Sequence, residues 1–225
     1  MTSEDKGKGD TIMPQRWVRM YRILFGLLTL AAIAYQFSTN SERDIWNPVN
    51  FFSFFTIQSN LIAAAVLIIG ALPSREIIPR AWSMIRGAAT MYMVTTFVVY
   101  NLLLSGLEES LQTPTPWVNM VLHQILPLVM VLDILFRPIP ARHLTMRNAM
   151  LWLVYPGAYL AYTLIRGPRV DWYPYPFLDP RESGGYVTVA IYCSVILLGL
   201  VAVISLVVTL VHRSQPESAT SSAQL

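Results

Sequence analysis

The chain has 225 residues, 54% of them hydrophobic and 13% charged, with a formal net charge of +3. Soluble domains carry about 25% charged residues, so this composition excludes an ordinary soluble globule and indicates a chain that crosses a membrane several times. A single cysteine, Cys193, excludes an internal disulfide and any multi-cysteine metal site.

Residues 1–15 are polar and charged, and 213–225 are rich in serine. Neither end can bury a core, so both are expected to be disordered tails flanking a membrane domain over 16–212. A span needs about 20 mostly apolar residues. Six runs meet that requirement: 17–37, 50–71, 82–104, 117–136, 148–165 and 186–211. The expected fold class is therefore all-α, a polytopic bundle of six transmembrane helices. The first run carries small residues at a cleavage-like spacing in "LTLAAIA", but it is long and its end, "YQFSTNSERD", gives no clear stop, so it is expected to be a span rather than a cleaved leader.

Orientation follows from the basic residues. Lys6, Lys8, Arg16, Arg19 and Arg22 flank the start of the first run. Arg75, Arg80 and Arg86 cluster between the second and third, and Arg137, Arg142 and Arg147 between the fourth and fifth. Arg213 follows the sixth. The opposite side holds only Arg43, Arg166, Arg169 and Arg181. Both termini are expected in the cytoplasm.

The second run opens with "FFSFFTIQSN", an unusual density of polar side chains for a greasy segment. Ser53, Thr56, Asn60 and Ala63 follow i, i+3, i+7, i+10 and share one helix face. Ser59 adjoins that stripe. Thr56 lies six residues into its run and His123 six residues into the fourth, both from the outer side, which puts both ~9 Å deep. Asn119 lies one turn before His123 on its face. Pro127 lies one turn after and lacks the N–H that would bond the His123 carbonyl, so the helix is expected to loosen there. Ser, Thr and Asn often serve only to hold membrane helices together, but an ionisable histidine at depth points to function.

Asn101, Tyr159 and Tyr192 lie within about two turns of the outer surface, where they either line the same cavity or belong to an aromatic belt. The last outer loop, "RGPRVDWYPYPFLDPRESGG", is too apolar for a solvated linker. It is expected to fold over the outer mouth, with Trp172, Tyr173, Tyr175 and Phe177 meeting a lipid and Arg166 and Arg169 near its head group. Asp133 and Arg86 are expected to form an ion pair near the cytoplasmic side. The chain contains no G-x-S-x-G, H-E-x-x-H or P-loop motif and no second deep histidine for a haem pair. No metal, cofactor or nucleic-acid partner is expected.

Three pieces in order, "FFTIQSNL", "NMVLHQILP" and "WYPYPFLD", resemble the androgen-induced and androgen-dependent integral membrane proteins and their bacterial relatives. The resemblance covers the six runs and excludes the tails. Animal members of that family are threonine hydrolases that cleave fatty acid esters of hydroxy fatty acids. The resemblance implies Thr56 as nucleophile, His123 as general base, a lipid ester as substrate and a bacterial plasma membrane as location. The chain departs from the animal pattern after Thr56, where Ile-Gln-Ser-Asn replaces a stretch containing an acidic residue. Pro127 also sits one residue closer to the histidine. From the residues themselves, Asn60 is expected to donate to the oxyanion, because N–H groups inside a helix are already bonded. Ser59 is expected to assist, Asn119 to orient the imidazole, and Ser53, Asn101, Tyr159, Arg166, Tyr173, Tyr175, Phe177 and Tyr192 to contact substrate. The alternative reading is a non-catalytic lipid-binding protein or transporter. The off-centre polar cluster and the lack of an internal repeat argue against a transporter.

Overall fold

The structure is a computed structural model that describes residues 14–42, 46–72, 79–108, 111 and 114–214. Lys6, Lys8, Arg43 and Arg75 lie outside the described residues, as do the expected disordered tails apart from their inner ends. Among the described residues all regular structure is helical. The α-helices are α1 (Gln15–Ser41), α2 (Pro48–Phe52), α3 (Phe55–Ala71), α4 (Pro79–Val99), α5 (Pro116–Met120), α6 (Leu126–Phe136), α7 (Met146–Ala149), α8 (Val154–Val170) and α9 (Tyr186–Ser214). A π-helical turn, Tyr100–Leu104, prolongs α4, and another, Val121–Ile125, joins α5 to α6. Four helical segments are long and apolar enough to cross a membrane: Gln15–Ser41, Arg80–Leu104, Pro116–Phe136 and Tyr186–Arg213. They fit an integral membrane protein.

The other two apolar runs are built differently from a single straight helix. The second is broken. Asn47 caps α2 by accepting from the N–H groups of Val49 and Asn50, and Pro48 stands at the first helical position. The chain then leaves helical geometry at Phe54 (φ −72°, ψ 129°) before α3 starts. The fifth run begins as α7 and a 3₁₀ turn, Met150–Leu153, ahead of α8. α8 continues to Val170, so Arg166 and Arg169, expected in the outer loop, lie within the helix, Arg169 on its last turn.

The chain divides into two compact units. The first comprises residues 1–77 and 92–138, the second 78–91 and 139–225. In the first unit α1 packs along α3 and also meets the π turn of 121–125, α5 and α6. The buried face of α1 reads Val18, Arg22, Gly26, Thr29, Ile33, Gln36 and Asn40, spaced by three or four residues. Met20, Ile23, Leu24, Leu27 and Leu30 point outward. Polar and small residues inside with large apolar residues outside is the inverse of a soluble helix, and it is the arrangement expected when lipid is the solvent. At Gly26 an added Cβ would come within 2.6 Å of the Ile68 side chain and 3.3 Å of the Ala64 carbonyl, so the missing side chain lets α1 and α3 approach. Phe37 gathers Trp46, Phe51 and Phe52 around it, with ring centroids 5.1 to 5.8 Å apart. That cluster anchors α2 and thereby the start of α3.

Asp133 of α6 receives Arg22 at 2.5 and 3.1 Å and the Tyr21 hydroxyl at 2.7 Å, both from α1. Arg22 also donates to the Gly70 carbonyl at 2.6 Å. Arg22 is a partner for Asp133 that spacing along the chain does not reveal. The charge on each side is buried, so removing one leaves the other without its counter-ion.

In the second unit α9 packs on α7 and on the 3₁₀ turns before and after it. Ser83 meets His143 at 3.1 Å, and His212 lies 2.7 Å from the Leu144 carbonyl. Val187, Ile191, Val195, Leu198, Leu206 and Leu210 of α9 point outward, as an apolar solvent again requires.

Two outcomes are expected from this packing. Asp133→Ala lowers stability in detergent by about 3 kcal/mol, and adding Arg22→Met recovers part of it, because the stranded cation is then gone; thermal unfolding of the purified proteins checks this. Gly26→Leu lowers the unfolding temperature in the same assay, by forcing α1 off α3.

Candidate functional site

The break before α3 places Thr56 at the second position of a helix rather than in its middle. The residues around it divide the work. Ser53 Oγ donates to the Val49 carbonyl at 2.6 Å and Gln58 Nε2 to the Phe52 carbonyl at 2.8 Å. Both thereby close the end of α2 and do not reach His123. Thr56 and Asn60 turn inward toward the π turn of 121–125. Ser59 meets Thr96 of α4 at 3.0 Å and the Thr56 carbonyl at 3.2 Å.

Thr56 Oγ1 lies 3.3 Å from His123 Nε2. Thr56 is 7% exposed and His123 3%. His123 Nδ1 lies 3.1 Å from the backbone carbonyl of Asn119. A carbonyl only accepts, so Nδ1 carries the proton and donates to it. Nε2 is then the unprotonated nitrogen, able to accept from the threonine hydroxyl. The tautomer is thus set by the backbone of the residue one turn earlier, and the Asn119 side chain is used elsewhere.

The helix around His123 is not regular. Pro127 has no N–H for the His123 carbonyl, and the ladder slips so that the Leu126 N–H bonds the Val121 carbonyl five residues back. An inserted residue rotates the later part of the helix by about 100° relative to a regular one. The loosening expected from Pro127 takes this specific form.

Asn60, 0% exposed, clamps the two segments. Its amide nitrogen donates to the Thr56 carbonyl at 2.8 Å and to the Leu122 carbonyl at 3.1 Å. Both N–H groups are committed, and its oxygen is buried without a hydrogen-bond partner. Asn60 therefore reaches an oxyanion only by releasing one of these carbonyls. The expectation that backbone N–H groups are all consumed does not hold at this position. The first-turn N–H groups of α3, that of Ile57 among them, have no carbonyl inside their own helix to bond.

Sequence reasoning missed three participants. The Tyr100 ring stacks on His123, centroids 4.0 Å apart and planes 20° apart. Its hydroxyl accepts from Asn119 Nδ2 at 2.5 Å and donates to Glu108 Oε1 at 2.7 Å. The Gly106 N–H also donates to Glu108, and these donors hold the Glu108 carboxyl below the usual carboxylate range, the Tyr100 hydroxyl contributing most. Thr96, behind Ser59, donates to the Tyr92 carbonyl at 3.0 Å. Tyr100 was legible only as an aromatic near the outer end of a run, since no spacing links it to His123. Asn101, expected at the site, is exposed; it donates to the Phe97 carbonyl and accepts from Gln124.

The remaining expected contact residues, Tyr159, Arg166, Tyr173, Tyr175, Phe177 and Tyr192, belong to the second unit. Tyr175 and Phe177 stack with planes 3° apart, and Phe177 packs against Tyr192. The Arg166 guanidinium lies 5.4 Å from the centre of the Trp172 ring. Tyr173 fills the space at Gly167, where a Cβ would stand 2.2 Å from its ring. Asp171 closes α8 in the left-handed region (φ 54°). Arg181 ties the loop by pairing with Asp171 and with Asp179, the latter at 2.6 Å. Arg181 holds the Asp179 carboxyl below the usual carboxylate range.

Among the described residues no group of three or more His, Cys, Asp or Glu is placed to hold a metal ion. The chain matches no protein-family model, no curated protein and no solved structure.

A depressed carboxylate contributes stability that is present above its unfolded pKa of ~3.9 and is lost as the pH falls through its lower folded value. Proteolytic cutting within 171–185 is therefore expected to stay constant from pH 7 to 5 and to rise only below about pH 4. Arg181→Gln is expected to raise it at pH 7. An acid-tolerant protease and mass spectrometry of the fragments check both.

Proposed function

We propose that the protein is an intramembrane hydrolase of lipid esters, with Thr56 as nucleophile and His123 as general base. The single observation that carries this reading is the buried line from the Asn119 carbonyl through His123 to the Thr56 hydroxyl. A threonine hydroxyl is a weak nucleophile and needs a base in hydrogen-bond reach, itself oriented by a third group. All three parts are present. The likeness of "FFTIQSNL" and "NMVLHQILP" to the androgen-induced and androgen-dependent membrane proteins supports the same two residues and suggests fatty acid esters of hydroxy fatty acids or a related lipid ester as substrate.

In the proposed reaction Thr56 Oγ attacks the ester carbonyl carbon while its proton passes to His123 Nε2. The imidazolium that forms is stabilised through Nδ1–H by the Asn119 carbonyl. The tetrahedral oxyanion is met by the Ile57 N–H in the first turn of α3, at the positive end of the helix. Its collapse breaks the ester C–O bond, and the leaving alkoxide takes the proton from Nε2–H. Water then attacks the acyl-threonine, giving its proton to Nε2, and the fatty acid leaves as Thr56 recovers its hydrogen. Asn60 keeps Thr56 and His123 in register and supplements the oxyanion donors only by giving up a carbonyl.

The bundle is read as six spans with both termini in the cytoplasm. α3, with 17 residues, is at the short end of what crosses a bilayer. The Arg and Lys asymmetry between loops supports the orientation. The proposed location is a bacterial plasma membrane. Reporter fusions at positions 110 and 220 are expected to read outside and inside respectively; an outside reading at 220 overturns the topology.

Thr56→Ala and His123→Ala are each expected to lower ester turnover by about 10⁴-fold or more and to abolish labelling by a fluorophosphonate probe. Thr56→Ser retains part of both. Asn60→Ala is expected to cost about 10²-fold. Mass spectrometry of the labelled peptide places the adduct on Thr56; wild-type turnover in a folded Thr56→Ala protein overturns the reading.

A further inference from the structure

We propose that Tyr100 is the positioning residue of this site, acting on His123 rather than on the ester; this rests on the Thr56–His123 hydrolase reading. A buried imidazole held by one backbone bond still has two freedoms: rotation of the ring about its own bond to the chain, and exchange of the proton between nitrogens. Rotation would carry Nε2 away from Thr56, and proton exchange would turn Nε2 from acceptor into donor. A ring lying nearly parallel to the imidazole at 4.0 Å leaves no room for the rotation. The Tyr100 ring thus keeps Nε2 directed at Thr56.

The hydroxyl adds a second constraint. It accepts from the Asn119 side chain, and Asn119 supplies the carbonyl that receives Nδ1–H. One residue therefore holds the imidazole by its face and, through Asn119, by the group that sets its tautomer. The hydroxyl in turn donates to Glu108, which is fixed by the Gly106 N–H. With its donor and one acceptor position committed in this way, the hydroxyl is directed at the protein rather than at a substrate, and this is what separates a positioning role from a catalytic one.

Both ends of the stack lie in π turns. Tyr100 opens the turn of 100–104, whose Ser105 N–H bonds the Tyr100 carbonyl at 2.8 Å, and His123 is central in the turn of 121–125. Such turns carry a helical cost and occur disproportionately at functional sites. Removing the ring alone leaves the Asn119 carbonyl in place, which makes the effect of the stack separable from that of the backbone bond.

The test uses the full chain in detergent micelles, with two readouts. The first is hydrolysis of p-nitrophenyl butyrate. Tyr100→Phe keeps the ring and loses the hydroxyl, and is expected to lower kcat about tenfold; Tyr100→Leu loses both and is expected to lower kcat about 10²-fold, with KM within about twofold in each. The second is ¹⁵N NMR of histidine-labelled protein, with the His123 signals assigned by their loss in His123→Gln. The wild type is expected to show one tautomer with a protonated Nδ1, Tyr100→Phe a second detectable set, and Tyr100→Leu averaged nitrogens. Wild-type kcat and a single wild-type tautomer in either folded variant overturn the proposal, so Tyr100→Phe decides alone if Tyr100→Leu does not fold. If the wild type turns over no ester and takes no fluorophosphonate, the hydrolase reading fails, and the NMR arm still decides whether Tyr100 positions His123.

Discussion

Large apolar side chains cover the outer faces of α1 and α9, so a polar group inside must be answered from within the protein. Nearly every local feature of the first unit follows from that constraint. Arg22 reaches Asp133 and the Gly70 carbonyl. Asn60 reaches two carbonyls. Ser59 and Thr96 satisfy one another and the backbone. In water these groups would be solvated individually. Without water they become cross-links, and their positions are correspondingly determined.

The same constraint gives the Thr56–His123 pair its chemical interest. A hydroxyl and an imidazole at 3.3 Å are ordinary in a solvated cleft, where water competes for both. Enclosed at 7% and 3% exposure, each has few other options. Low dielectric strengthens the hydrogen bonds that remain and makes an unsatisfied group costly. The buried, unpartnered oxygen of Asn60 is a cost of that kind. It sits beside the pair, where a ligand or water able to donate a hydrogen bond would relieve it.

Departures from regular helix are concentrated where the chemistry is proposed. α2 stops at Phe52 and α3 starts one residue before Thr56, a π turn holds His123, and another presents Tyr100. Each has a local cause or anchor: the Asn47 cap and the Phe37 aromatic cluster at the first break, and Pro127 at the second. For the turn at Tyr100 the anchor is the pull of Glu108 and Asn119 on the hydroxyl. α1 packs closely along α3 at Gly26 beside these interruptions.

Much of this was legible in the residues themselves. The apolar runs, the helical class and the inward face shared by Thr56 and Asn60 follow from composition and periodicity, because lipid imposes a length and helices impose a spacing. Counting along two runs suggested that Thr56 and His123 could meet, as they do at 3.3 Å, and Pro127 announced a fault in the helix. Which atoms meet was not legible. The break at Phe54 moved Ser53 off the stripe and put Thr56 at a helix start, because a cap and an aromatic cluster outweighed the periodicity. Asp133 found Arg22 although 111 residues separate them. Tyr100 found the face of His123, and of the two partners open to the imidazole, the Asn119 side chain or a backbone carbonyl, it is the Asn119 carbonyl that meets it. Sequence spacing specifies faces and depths along one helix, whereas the pairing of faces between helices, and the tautomer that results from it, depends on packing that brings distant segments together.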